Sequence, residues 1–198
     1  MRIVVFALLV WCAACSKTPH LTKLPNDAVI LAFGDSLTFG TGATPETSYP
    51  AVLEQLIGRR VVAAGVPGEV TAEGLERLSD VLEEEQPKLM ILCHGGNDLL
   101  RQTGEAKAEA NLRAMIALAK AKGIQVLMVA VPKPGLTLSS PAYYEEIAEE
   151  LKLPIETGVL RSILTSSSLK SDQIHPNAAG YRKMAEAIAE LLKAAKAI

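Results

Sequence analysis

The sequence predicts one α/β domain built on a parallel sheet. Five short apolar runs, each with the length of a buried strand, alternate with longer segments that have the periodicity of helices. Polar, turn-forming residues follow several of these runs directly. A chain of 198 residues is long enough for one well-buried domain and too short for two of ordinary size.

The composition is that of an ordinary globular protein, with 49% hydrophobic and 21% charged residues. The formal net charge is −2, and the lysines and arginines are scattered among acidic residues. A nucleic-acid-binding surface requires clustered positive charge. We therefore expect no nucleic-acid partner.

The first residues have the pattern of a bacterial export signal. One positive charge is followed by a short apolar core over 3–11, which is too short to span a bilayer. Small residues precede Cys15, as in the lipobox of lipoproteins, although Cys12 stands where that pattern prefers leucine. We predict a signal peptide over 1–14, a lipid anchor on Cys15 and a polar tether over 15–27, which would place the protein in the envelope facing the periplasm. Ordinary cleavage before Cys15, giving a secreted or periplasmic protein, is the alternative.

The strand predicted over 28–33 ends in Gly34-Asp35-Ser36-Leu37, and Ser36 is a candidate nucleophile. A serine that follows a strand and opens a helix lies where an open α/β sheet places its reactive groups. Serine is a weak nucleophile alone, so it needs a base, a group that orients the base, and an oxyanion site. Asp35 is predicted to hydrogen-bond the turn around Ser36.

Two later strands also end in turn-forming residues. The strand over 60–64 leads into a loop that contains Gly68, before a helix with leucines spaced three and four apart. The strand over 88–93 ends in His94-Gly95-Gly96-Asn97-Asp98. An amide N–H donates a hydrogen bond without carrying a charge that titrates, so Asn97 is a candidate oxyanion donor. The alternatives are that Asn97 caps a turn or helix and that Gly68 only permits a positive φ.

A helix over 105–122 and a strand over 124–131 precede a long loop over 132–141. Leu136 and Leu138 in this loop have two open interpretations. They contact the acyl chain of a substrate, or they pack against the helix that begins near Pro141.

Asp172 and His175 are three residues apart, so one local turn can present a carboxylate and an imidazole together. His175 is the candidate base for Ser36, and Asp172 the group that orients its ring. A metal site is the rival interpretation, but the chain has three histidines and no Cys/His cluster. We predict no metal and no cofactor. A short strand over 153–155 precedes this block, and the last helix follows it.

The candidate site residues lie in four sequence blocks, those that contain Ser36, Gly68, Asn97 and His175. In this order they resemble the SGNH (GDSL) hydrolase family, in particular its bacterial thioesterase I and arylesterase branch. The resemblance covers about 29–192. It implies a three-layer α/β/α, flavodoxin-like fold over 28–198, with a five-stranded parallel sheet in the order 2-1-3-4-5. It also implies an oxyanion hole formed by Ser36, Gly68 and Asn97. Glu69 stands where relatives usually carry aspartate.

The function implied by this resemblance is a serine esterase that works through Ser36, His175 and Asp172. Aryl and acyl esters, acyl thioesters and lysophospholipids are the expected small-molecule or lipid substrates, and a monomer is the expected state. One alternative is a carbohydrate O-acetylesterase of the envelope. Another is a non-catalytic envelope lipoprotein that kept the fold.

Overall fold

The predicted strands form one parallel sheet in the order 2-1-3-4-5, which confirms the predicted topology. The protein is represented by a computed structural model that describes residues 18–135 and 137–198. The strands are β1 Ile30–Gly34, β2 Val61–Gly65, β3 Leu89–Cys93, β4 Gln125–Val129 and β5 Ile155–Glu156. In the centre, Ile30 of β1 lies opposite Val61 of β2 and Leu89 of β3.

Eight α-helices occur in the described residues: α1 Ser36–Phe39, α2 Tyr49–Ile57, α3 Thr71–Glu85, α4 Gly96–Arg101, α5 Glu105–Ala121, α6 Tyr143–Leu151, α7 Val159–Leu164 and α8 Ala178–Ala194. Two short 3₁₀ helices span Pro45–Thr47 and Ser167–Leu169.

The helices cover both faces of the sheet. Helices α2 and α8 pack against each other, as do α3 and α5. Because crossovers between parallel strands are right-handed, the connection that returns from β1 to β2 runs on the opposite face from the connections that lead to β3, β4 and β5. The result is the predicted three-layer α/β/α architecture.

Every residue of β1 and β3 is buried, which explains why both strands are continuous apolar runs. The fifth strand is Ile155–Glu156 and therefore begins later than the predicted 153–155. Leu153 instead lies in the turn that closes α6, because its N–H donates to the carbonyl of Ala148 at 2.8 Å.

Part of the predicted tether lies along the domain at the end of the sheet where the strands begin. The N–H groups of Leu21 and Leu24 donate to the carbonyls of Ala195 and Ala197, each at 2.8 Å. Leu24 is buried in the hydrophobic core. Cys15 and the predicted signal peptide lie outside the described residues. None of the helices described is long and apolar enough to cross a bilayer.

Candidate active site

Ser36 is the first residue of α1, and Asp35 separates it from the end of β1. Asp35 caps this helix, because its Oδ1 accepts the N–H of Leu37 at 3.1 Å. This contact is the structural role predicted for Asp35. Burial raises the pKa of Asp35, and the nearby His94 and the N–H of Leu37 offset only part of that effect. The cap holds the turn that carries Ser36 at the carboxyl edge, the edge where the sheet strands end.

Asp172 and His175 lie in a loop that is closed by its own backbone. The N–H of Ser171 donates to the carbonyl of His175 at 2.9 Å, and Lys170 and Pro176 form an antiparallel bridge. Asp172 Oδ1 accepts the N–H groups of Ile174 and His175, both at 2.8 Å. The carboxylate thus organises the turn that presents the imidazole.

Ser36, His175 and Asp172 form one hydrogen-bonded chain. The Nε2 atom of His175 is 3.0 Å from Ser36 Oγ, and its Nδ1 atom is 2.8 Å from Asp172 Oδ2. Burial acts to raise the pKa of Asp172, but the hydrogen bonds from His175 and the two backbone N–H groups outweigh it and leave that pKa lowered. The structure therefore brings together three predicted site residues, two of which are 139 positions apart in the chain.

The three predicted oxyanion donors lie on segments that follow β1, β2 and β3 at the carboxyl edge of the sheet. Gly68 has a φ of +82°, a conformation that favours glycine. Asn97 Nδ2 donates to the carbonyl of Glu69 at 3.0 Å, which holds the amide beside the Gly68 loop. Within the residues described, the backbone N–H groups of Ser36 and Gly68 donate to no acceptor of the protein. Two backbone donors at the carboxyl edge are thus left for another acceptor.

The loop between β2 and α3, called here the Gly68 loop, is held in place by ionic hydrogen bonds to Glu69. Arg77 on α3 donates to both carboxylate oxygens of Glu69, from Nε at 2.6 Å and from Nη2 at 2.8 Å. His94 Nε2 lies 3.0 Å from Glu69 Oε2. Burial acts to raise the pKa of Glu69, but the hydrogen bonds from His94 and Arg77 outweigh it and leave that pKa lowered. His94 therefore has a carboxylate partner as well as the backbone N–H of Gly95.

Asp98, the last residue of the Gly-Gly-Asn-Asp block, ties α4 to α3. Its Oδ2 accepts the N–H of Thr71 at 2.8 Å, and its Oδ1 accepts the Thr71 hydroxyl at the same distance. Thr71 is the first residue of α3, so Asp98 satisfies a free N–H at the start of that helix. On the same side, Arg101 Nη2 donates to the carbonyl of Gly68 at 2.7 Å.

A pocket with a cavity volume of about 40 Å³ opens beside Ser36, Asn97 and His175. Much of its remaining lining is apolar and comes from α4, the loop after β4 and α7: Leu100, Val131, Pro132, Pro134, Leu138 and Leu164. Leu138 thus lies where the substrate interpretation requires it. Leu136 lies outside the described residues.

Cys93 ends β3 and is fully buried, and burial raises the pKa of its thiol well above its ordinary value. This is the environment of an inert thiol. In residues 18–135 and 137–198, no three His, Cys, Asp or Glu side chains gather in an arrangement that could hold a metal ion.

The sequence of this chain matches the model of the GDSL-like lipase/acylhydrolase family over residues 32–183. The match spans all four blocks that build the site. The chain belongs to this family. It is an ester hydrolase.

Known relatives agree with this membership. The esterase TesA of Pseudomonas aeruginosa is 28% identical over 194 residues, which cover 91% of this chain and 96% of that protein. Thioesterase 1/protease 1/lysophospholipase L1 of Escherichia coli K12 is 28% identical over 156 residues, which cover 75% of each chain. A crystal structure of TesA superposes with a TM-score of 0.75 at 29% identity and covers 83% of this chain and 98% of that one.

Sequence reasoning missed the partners that hold the site in place. Glu69 was recognised only as a departure from the family pattern, and Arg77 and Asp98 received no role. Each acts through a contact between separate elements, such as the one from Asp98 to Thr71, 27 residues apart. A local motif does not encode such a contact. The available signal was the position of an acidic residue beside each oxyanion candidate.

Proposed function

We propose that the protein is a serine esterase that hydrolyses carboxylic esters and thioesters through an acyl-enzyme on Ser36. The hydrogen-bonded chain from Ser36 through His175 to Asp172 carries this proposal. Its two distances, 3.0 and 2.8 Å, match those needed for proton transfer from a nucleophile to a base and for orientation of that base.

In the first half-reaction, Ser36 Oγ forms a bond to the carbonyl carbon of the ester while its proton passes to His175 Nε2. The tetrahedral intermediate then collapses: the bond to the leaving oxygen or sulfur breaks, and His175 gives that atom its proton. Asp172 accepts from Nδ1 and stabilises the imidazolium in between. Water repeats these steps on the acyl-enzyme, which releases the acid and returns the proton to Ser36.

The negative charge of the intermediate requires donors that are already in place. The N–H groups of Ser36 and Gly68 and the amide of Asn97 are the proposed donors. Two features support this role: the two backbone N–H groups have no acceptor in the described part of the chain, and Asn97 is fixed by the carbonyl of Glu69. Fixed donors need no reorganisation when charge develops.

Aryl and acyl esters, acyl thioesters and lysophospholipids are the proposed substrates. The relatives named esterase and thioesterase/lysophospholipase support this range, as does the apolar pocket wall that includes Leu138. A cavity of about 40 Å³ is small, however, and this favours short acyl groups. A carbohydrate O-acetylesterase is therefore the second candidate.

Hydrolysis of p-nitrophenyl esters from acetyl to palmitoyl tests the proposal and separates the two candidates. Ser36→Ala should lower kcat by about 10⁶, the loss found when a catalytic serine is removed. Ser79→Ala, a half-buried serine on α3, is the matched control and should keep wild-type activity. Equal rates for wild type and Ser36→Ala would refute the serine mechanism. Activity confined to acetyl esters would favour the acetylesterase.

We also propose that the protein is exported and anchored by lipid on Cys15. The apolar core at 3–11 and the small residues before Cys15 support this. Cells expressing the full chain and fed a labelled fatty acid should incorporate label into the wild type and not into Cys15→Ser. Equal incorporation in both would contradict the lipid anchor.

A further inference from the structure

His94, Glu69 and Arg77 form a polar cluster beneath the Gly68 loop, and none of the three lines the pocket. The His94 side chain is fully buried, and the Glu69 side chain is only 5% exposed. Arg77 also donates from Nη2 to the carbonyl of Ala64 at 3.0 Å, and its guanidinium carbon lies 4.1 Å from the ring centroid of Phe33. The cluster thus joins the loop to the carboxyl ends of β1 and β2.

The surrounding hydrogen bonds determine the tautomer of His94. The N–H of Gly95 donates to His94 Nδ1 at 2.9 Å, so that nitrogen is an acceptor and carries no proton. Nε2 must then carry the proton and donate it to Glu69 Oε2, 3.0 Å away. Gly74 on α3 makes room for this contact, because a Cβ atom there would collide with His94 Nε2. Both ring nitrogens are therefore used, and the ring has one orientation.

Glu69 connects this buried ring to the proposed oxyanion donors. Its carboxylate is held by Arg77 on one side and His94 on the other. Its carbonyl accepts from Asn97 Nδ2, and Gly68 directly precedes it in the chain. A displacement of Glu69 as a whole would therefore move the Gly68 N–H and the acceptor that aligns Asn97 together.

We propose that His94 is a positioning residue that sets the geometry of the oxyanion site through Glu69. This inference rests on the proposed function, because it assumes that Gly68 and Asn97 stabilise the oxyanion. His94 reaches Glu69 from the end of β3, the strand that leads into α4 and Asn97. It therefore fixes the distance between the two elements that supply these donors.

The test compares His94→Leu, which removes the donor, with His94→Gln, which places an amide N–H near the position of Nε2. Arg77 still binds both Glu69 oxygens in these variants, so the fold should be retained. His94→Leu should lower kcat on p-nitrophenyl butyrate by about 10- to 100-fold with KM within about twofold, because small misplacements of catalytic groups are costly. His94→Gln should recover most of the loss.

Two further measurements separate positioning from loss of folded protein. Rates are normalised to the sites titrated by a fluorophosphonate, which corrects for inactive molecules. Phenylboronic acid bonds to Ser36 Oγ as a tetrahedral anion while the Oγ proton passes to His175. Its affinity for His94→Leu should fall by the same factor as kcat/KM. His20→Leu is the matched control, since His20 is exposed and should not affect either constant.

Unchanged kcat in His94→Leu, a loss that disappears after site titration, or boronic acid affinity that does not follow kcat/KM would each overturn the positioning role. The two proposals fail separately. If Ser36→Ala stays active, the serine mechanism is wrong. If Ser36→Ala is inactive and His94→Leu is normal, only the role of His94 is wrong.

Discussion

The two edges of the sheet are built from different interactions. At the carboxyl edge, polar side chains from separate segments meet, and polar groups such as Glu69 and His94 are buried. At the opposite, amino edge, the first and last described segments meet instead. There Leu24 packs into the core and donates its N–H to the carbonyl of Ala197.

This difference shows how the molecule separates function from stability. Directional hydrogen bonds to charged groups fix atoms in place, but burying such groups costs free energy of solvation. Apolar burial and backbone hydrogen bonds stabilise the fold without fixing a reactive geometry. Substitutions at the carboxyl edge should therefore affect catalysis more than folding, and substitutions at the amino edge the reverse.

The largest effect, a loss of kcat, is expected for a substitution at the carboxyl edge. Asn97→Ala removes a proposed oxyanion donor and should lower kcat by about 10²–10³. Steady-state kinetics on p-nitrophenyl butyrate measure this loss. Asn26→Ala is the matched control at the amino edge, where the Asn26 side chain accepts an exposed hydrogen bond from Arg59. A loss below about threefold in Asn97→Ala would argue against the oxyanion role.

At the amino edge, Leu24→Ala should lower the free energy of unfolding by about 2–5 kcal/mol, because it removes a buried side chain and leaves a cavity. The value of kcat per folded molecule should not change. Urea unfolding and steady-state kinetics on the same samples measure the free energy of unfolding and kcat. Lys23→Ala, at the exposed neighbouring position, should leave both unchanged. A fall in kcat for Leu24→Ala would mean that the edges are coupled.

A smaller effect is expected for Gln125→Ala. The Gln125 amide exchanges two hydrogen bonds with the backbone of Thr22, at 2.6 and 2.9 Å. Because this pair is exposed, its removal should cost about 0.5–1.5 kcal/mol of unfolding free energy. Gln55→Ala, an exposed glutamine on α2, is the control. An equal loss in both variants would show that the pair does not hold the amino-terminal segment to β4.

The smallest effect on the free energy of unfolding is expected at Asp172, whose side chain is 53% exposed. Its pKa is lowered in the folded protein, so its contribution to stability is present above the unfolded-state pKa near 3.8 and is lost as the pH falls through the lower folded value. The stability difference between wild type and Asp172→Asn should therefore shrink as urea unfolding is repeated below pH 3.8. A difference that stays constant there would contradict the lowered pKa.

Much of the fold could be predicted because its signals are local. The apolar runs predicted strands β1 to β4, and the spacing of leucines predicted α3. The predicted limits of β5 were wrong, since a strand of two residues carries little periodicity. In the candidate site, too, local patterns could be predicted and contacts between separate elements could not. Asp172 and His175 are three residues apart and were recognised as a pair, whereas the contacts of Glu69 with His94 and Arg77 were missed.

By itself, the sequence determined the α/β class, the strand order implied by family resemblance, and the residue types available for ester hydrolysis. The tertiary structure alone decided that Ser36 lies 3.0 Å from His175 and that Glu69 links His94 to the Gly68 loop. The physical reason is the range of the interactions. Backbone propensity and apolar periodicity act within one element, whereas hydrogen bonds between side chains on different elements exist only after the sheet and helices have packed.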